Sequence, residues 1–143
     1  MRCTTAFLFS SIVLLAACSS LSGEPMVPAG QTSALETPFT LKPAETATVG
    51  QDRVQVRFDR VVADSRCPRD VQCITAGEAT VRVLVTVPGQ QASAFELTTT
   101  PKGSIVKTGA YALTLSGLAP VPLSTTPTKD SDYRATFVLA KAS

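Results

Sequence analysis

Residues 78–87 alternate apolar and polar side chains with a period of two, which is the pattern that most restricts the fold of this chain. Five apolar residues share one parity: Ala79, Val81, Val83, Val85 and Val87. Arg82 and Thr86 lie on the other parity. Because successive side chains of a β-strand point to opposite faces, this pattern predicts a strand with one buried face rather than an amphipathic helix.

The same period recurs along the chain, and no stretch of ten or more residues after Thr37 has helical spacing. In residues 53–64 the parity slips after Phe58, and Val61 and Ala63 continue the apolar face only if one extra residue is present. This slip predicts a β-bulge near Asp59 and Arg60. Turn residues separate the segments, so we expect an all-β antiparallel sandwich of about seven strands, with a small closed barrel as the alternative. The other predicted strands contain Phe39 and Leu41, residues 46–49, Phe95 and Leu97, Tyr111 to Leu115, and Tyr133 to Leu139.

The first 18 residues predict an export signal. Residues 6–17 form an uncharged, mostly apolar run of about 12 residues, whereas a spanning helix needs about 20. With Arg2 before it, the run is typical of a signal-peptide core. It ends in Leu15-Ala16-Ala17-Cys18, which resembles the lipobox of bacterial lipoproteins. The resemblance implies removal of residues 1–17 and attachment of palmitate-type acyl chains at Cys18, and two or more chains anchor a protein stably.

Residues 18–37 are rich in Ser, Gly, Pro and Thr, and they predict a flexible tether of roughly 25 Å between the lipid and the domain. The predicted sandwich domain then covers residues 38–143. The residue directly after Cys18 is Ser19 and not Asp. In a Gram-negative host, the same resemblance implies anchoring in the outer membrane, facing the periplasm.

Of the four cysteines in the chain, Cys67 and Cys73 remain once Cys3 is removed with the leader and Cys18 is acylated. An even pair in an exported protein is normally oxidised, so we predict a disulfide. A loop this short stabilises the fold by roughly 2 kcal/mol in the chain-entropy model. With no His in the chain, neither an activated thiolate nor a zinc site is expected at this pair.

The residues around this pair resemble a group of small bacterial envelope lipoproteins of unassigned activity, which share a motif of the form DSRCPxxVxCxWAGxA. The match runs from Asp64 to Ala79, and Thr75 stands where the group usually has Trp. The resemblance implies a β-rich domain at the cell envelope and implies no activity.

The composition of the chain argues against His-based catalysis and against nucleic-acid binding. The chain has no His, 13 Lys and Arg, and 11 Asp and Glu, for a formal net charge of +2. Missing His removes the usual general base, and the mixed charges lack the one-sign stripe typical of nucleic-acid binding. We therefore expect no nucleic acid, no cofactor and no metal site.

The best interpretation is a non-catalytic, lipid-anchored binding or structural module that contacts an unidentified envelope protein or polymer. Its candidate binding loop contains Asp64, Arg66, Arg69 and Asp70. Asp64 is expected to cap a turn or to pair with Arg66 or Arg69. Two alternatives stay open: a protease-inhibitor-like loop braced by the disulfide, and a hydrolase that uses Asp64 and Asp70 as paired carboxylates.

Overall fold

The computed structural model describes residues 30–143. The predicted signal peptide (residues 1–17), Cys18 and the tether up to residue 29 lie outside the described residues. Within residues 30–143, no helix has the length and apolar character needed to cross a membrane.

Two sheets form the described domain, one with the strand order β1-β3-β4-β5-β6 and the other with the order β2-β9-β8-β7. This architecture confirms the predicted all-β sandwich, and it does not close into a barrel. Strand pairs are antiparallel, with the exception of β1, which pairs with β3 in parallel. The strands are β1 (Gln31–Ser33), β2 (Phe39–Leu41), β3 (Thr46–Val49), β4 (Val54–Asp64), β5 (Ala79–Thr86), β6 (Ser93–Thr98), β7 (Ile105–Thr108), β8 (Tyr111–Ala119) and β9 (Arg134–Lys141).

The core lies between the two sheets and is filled by the apolar parity of each long strand. On β5 the residues alternate between buried and half-buried along the whole strand, as the sequence period predicts. Phe58 of β4 contacts Phe137 of β9 across the core, with ring centroids 6.0 Å apart and planes 65° apart. Each fully buried side chain of this size stabilises the fold by about 1.5–3 kcal/mol, so the interdigitated faces hold the sheets together.

The predicted bulge is present in β4, where the pairing with β5 shifts between Phe58 and Arg60. The extra residue lets Val61 stay half-buried against the core. A second shift follows between Val61 and Ala63, and it leaves Ala63 exposed rather than on the apolar face. The sequence pattern contained no sign of this second irregularity.

The described residues contain nine strands, whereas the sequence predicted about seven. The additional strands are β1 and β7, which are short edge strands. Gln31–Ser33 lies within the predicted tether, so the folded domain begins before residue 38 and the predicted boundary is corrected. The sequence of β1 shows no apolar alternation, so its residues do not predict a strand. The strand is held by backbone pairing with the edge of β3.

Strand directions divide the turns between the two ends of the sandwich. The loop between β4 and β5 (residues 65–78) and the connection between β8 and β9 (residues 120–133) lie at one end, which we call the disulfide end. The turn between β3 and β4 (residues 50–53) and the last residues of β9 lie at the opposite end.

Candidate functional site

The loop between β4 and β5 continues the hairpin in irregular form. The backbone N–H of Ser65 donates to the carbonyl oxygen of Glu78, and that of Cys67 donates to the carbonyl oxygen of Ala76, both at 2.8 Å. Gly77 has a φ of +65°, and a Cβ at this position would collide with the carbonyl oxygen of Ser65. Only glycine therefore allows the two sides of the loop to approach this closely.

A disulfide closes the tip of this loop. Cys67 and Cys73 are bonded with their Cα atoms 5.9 Å apart, which confirms the predicted pairing. Inside the ring, the N–H of Val71 donates to the carbonyl oxygen of Pro68 and forms a tight turn. The tip is consequently a cross-linked turn carried on a paired stem.

Arg66 fastens the base of the loop to the other sheet. Its Nε and Nη2 atoms donate to Oδ1 and Oδ2 of Asp64 at 2.8 and 2.7 Å, which is a two-point ion pair. Nη1 and Nη2 also donate to the carbonyl oxygens of Leu118 and Pro120 at 2.6 and 2.8 Å. One guanidinium thus joins β4 to the end of β8. Of the two partners expected for Asp64, Arg66 is the one that forms the ion pair.

Tyr133 completes this cluster, since its hydroxyl donates to Oδ2 of Asp64 at 3.1 Å. Burial alone would raise the pKa of Asp64, but the hydrogen bonds and charge of Arg66 outweigh it and hold the pKa below its ordinary value. The pKa of Tyr133 is raised by burial and by its bond to the Asp64 carboxylate. Asp64 therefore stays ionised and bound at neutral pH.

Asp70 and Arg69 tie the tip to the connection between β8 and β9. Ser124 donates its N–H and hydroxyl to the two carboxylate oxygens of Asp70, at 2.9 and 2.6 Å. These bonds lower the pKa of Asp70. The backbone N–H of Arg69 donates to the carbonyl oxygen of Pro122 at 3.1 Å. The loop and the connection consequently form one joined surface.

The surface of the disulfide end is exposed and partly apolar. Every residue from 69 to 78 is exposed, including Thr75 at the position of the missing Trp. Ile74 is fully exposed, and Val71 and Val121 expose 46% and 49% of their surface. Val121 also lines a small pocket of about 170 Å³, together with residues that include Arg69, Pro120 and Pro127. A larger groove lies at the opposite end of the sandwich.

The predicted binding-loop residues are close together in the chain but have separate partners. Asp64 bonds Arg66 and Tyr133, while Asp70 bonds Ser124. The two carboxylates do not share a partner, and the pKa of each is lowered. Within residues 30–143, no group of three or more Cys, Asp or Glu side chains is arranged to hold a metal ion.

Tyr133 and Ser124 belong to this site although they come from distant parts of the chain, and no local sequence pattern indicates them. Tyr133 is 69 positions from Asp64, and Ser124 is 54 positions from Asp70. Ile74 and Val121 are also exposed without being predicted as site residues. For Ile74, the position directly after the second cysteine of a tight ring indicates exposure. Comparisons of the chain with protein families, curated proteins and solved structures gave no match.

Proposed function

We propose that this protein is a lipid-anchored, non-catalytic binding module of the bacterial cell envelope, and that the disulfide end is its binding surface. This proposal rests on the exposure of Val71, Ile74 and Val121. The loop and the connection that contain them are held in place by the disulfide and by hydrogen bonds. An apolar side chain such as Ile74 contributes about 1.5–3 kcal/mol when a partner buries it.

Preorganisation makes that contribution available for binding. Ordering a flexible loop costs roughly 0.5–1.5 kcal/mol for each side chain that is immobilised on binding. The disulfide, the hydrogen bonds that Ser124 donates to Asp70, and the contacts of Arg66 order the loop during folding, so binding does not incur this cost. Exposed apolar residues on a rigid surface are typical of protein contact sites.

The lowered pKa values of Asp64 and Asp70 support a non-catalytic role. A carboxylic acid that donates a proton at neutral pH needs a raised pKa, and both oxygens of Asp64 are engaged by Arg66. The inhibitor-like alternative needs an extended segment that a protease can bind as a strand. Residues 68–71 form a turn instead, and the N–H of Arg69 is bonded to Pro122.

The anchor is supported by the lipobox residues Leu15 to Cys18. The Cys18→Ala variant should leave the membrane fraction while keeping the same melting temperature. Continued membrane association of this variant would contradict the anchor without bearing on the disulfide end.

In-cell photo-crosslinking tests the binding surface. A photoreactive amino acid replaces Ile74 at the disulfide end or, as the matched control, Ile105, which exposes 56% of its surface on β7. We expect a discrete adduct from position 74, absent from position 105 and lost when Val121→Ser is added. The same adducts from both positions, or none from position 74, would contradict the proposed surface.

A further inference from the structure

A groove of about 650 Å³ opens at the end of the sandwich opposite the disulfide. Three elements line it: the end of β1 with the residues that follow, the turn between β3 and β4, and the end of β9. Ala34, Leu35, Gln51, Asp52 and Lys141 are among its lining residues. The volume falls in the range of small-molecule sites.

The groove has a fixed apolar side. Leu35 is half-buried and packs against the core, while Ala34 is exposed. The turn between β3 and β4 lies directly on Leu35, because a Cβ at Gly50 would come 2.9 Å from its Cγ atom. Arg53 closes this turn with a φ of +55°, a left-handed conformation that only a well-defined turn maintains in a non-glycine residue.

Two opposite charges lie on its polar side. The Tyr111 hydroxyl donates to Oδ2 of Asp52 at 2.7 Å, which fixes the carboxylate. Nζ of Lys141 lies 3.8 Å from the same oxygen, beyond the range of a direct hydrogen bond. The side chains of Asp52 and Lys141 are 51% and 67% exposed, so both can bond a guest molecule without first being released from each other.

We propose that this groove binds a short peptide that carries an amino-acid zwitterion, meaning an ammonium and a carboxylate on one carbon. The ammonium of the guest bonds Asp52, its carboxylate bonds Lys141, and its aliphatic part contacts Ala34 and Leu35. When the zwitterion lies antiparallel to the Asp52–Lys141 pair, its ammonium is next to the Asp52 carboxylate and its carboxylate is next to the Lys141 ammonium. Because both groups are exposed and screened by water, the affinity should be modest, with a Kd of about 1 mM.

A matched pair of tripeptides tests the charge pattern on the full-length protein in detergent micelles. The first is Ala-γ-Glu-diaminopimelate, whose last side chain ends in a zwitterion. The second has Lys in that place and ends in an ammonium alone. Amide chemical shifts of Gly50 and Gln51 report binding. We expect saturable shifts with the first peptide and at least about tenfold weaker binding of the second, as losing one charge-assisted bond predicts.

Variants locate the site independently of the disulfide end. Lys141→Gln should weaken binding of the zwitterionic peptide about tenfold, and Ala34→Phe should abolish it by filling the groove. Lys107→Gln, which removes an exposed lysine on β7, should bind as the wild type does. Equal affinity for the two tripeptides, an absence of saturable shifts at Gly50 and Gln51, or unchanged binding by Lys141→Gln would each overturn the proposal.

Discussion

Replacing Arg66 with alanine removes the contacts that join the two sheets at the disulfide end. The side chain donates four hydrogen bonds, two to Asp64 and one each to the carbonyl oxygens of Leu118 and Pro120. The side chains of Arg66 and Asp64 are only 13% and 8% exposed, so Arg66→Ala leaves a carboxylate in a poorly solvated position. Breaking a buried pair in this way costs about 3–5 kcal/mol.

We take the lower end of that range, since the cluster lies near the surface. A loss of about 3 kcal/mol lowers Tm by about 12 °C in a domain of this size. Circular dichroism melting at pH 7 measures the loss, and the Asp64→Asn variant supplies a double-mutant cycle. We expect Arg66→Ala with Asp64→Asn to be less destabilised than the sum of the two single variants, by about 2 kcal/mol. A loss below about 1 kcal/mol for Arg66→Ala, or additivity within about 0.5 kcal/mol, would show that Arg66 does not stabilise the fold through Asp64.

Three further predictions follow from the same region. Replacing both Cys67 and Cys73 with serine should lower the free energy of unfolding by about 2 kcal/mol in urea titrations; an unchanged midpoint would mean that the ring does not constrain the unfolded chain. Gly77→Ala should cost more than about 2 kcal/mol in the same assay because of its positive φ and the collision with Ser65; wild-type stability would show that the backbone relaxes freely. The folded-state pKa of Asp64 lies below its ordinary value of 3.8, so its contribution is present above that pH and is lost as pH falls through the folded pKa. Melting at pH 7, 5 and 3 should show wild-type Tm falling between pH 5 and 3 more than that of Arg66→Ala, and equal slopes would count against the ion pair.

Local features of the chain could be predicted from its residues. The period of two at residues 78–87 specifies β5, because a half-buried strand must place one parity in the core. The parity slip after Phe58 specified the bulge in β4 for the same reason. The pairing of Cys67 with Cys73 followed from their number and their expected compartment.

Features that depend on distant segments could not be predicted. Ser124 and Tyr133 are turn or flanking residues by sequence, and only the folded topology brings them to Asp70 and Asp64. β1 escaped prediction because a three-residue edge strand held by backbone pairing needs no apolar residues. The groove combines residues from near both ends of the described domain, such as Leu35 and Lys141, and no local pattern relates them.

Both tyrosines of the chain connect the sheets through an aspartate, one at each end of the sandwich. Tyr133 bonds Asp64 at the disulfide end, and Tyr111 bonds Asp52 at the opposite end. The hydrogen bond that Tyr111 donates to the Asp52 carboxylate raises the pKa of Tyr111, so its hydroxyl keeps its proton and remains a donor. These contacts hold the turns in place at the two surfaces for which we propose binding.

Intact-mass spectrometry of the protein taken from bacterial membranes tests the proposed lipid anchor and the disulfide in one measurement. We expect a chain that begins at Cys18, carries the mass of at least two acyl chains, and lacks the two hydrogens lost when Cys67 and Cys73 are joined. A lipid-free chain that begins at Met1 and has both thiols reduced would contradict the anchor, the compartment and the preformed loop together.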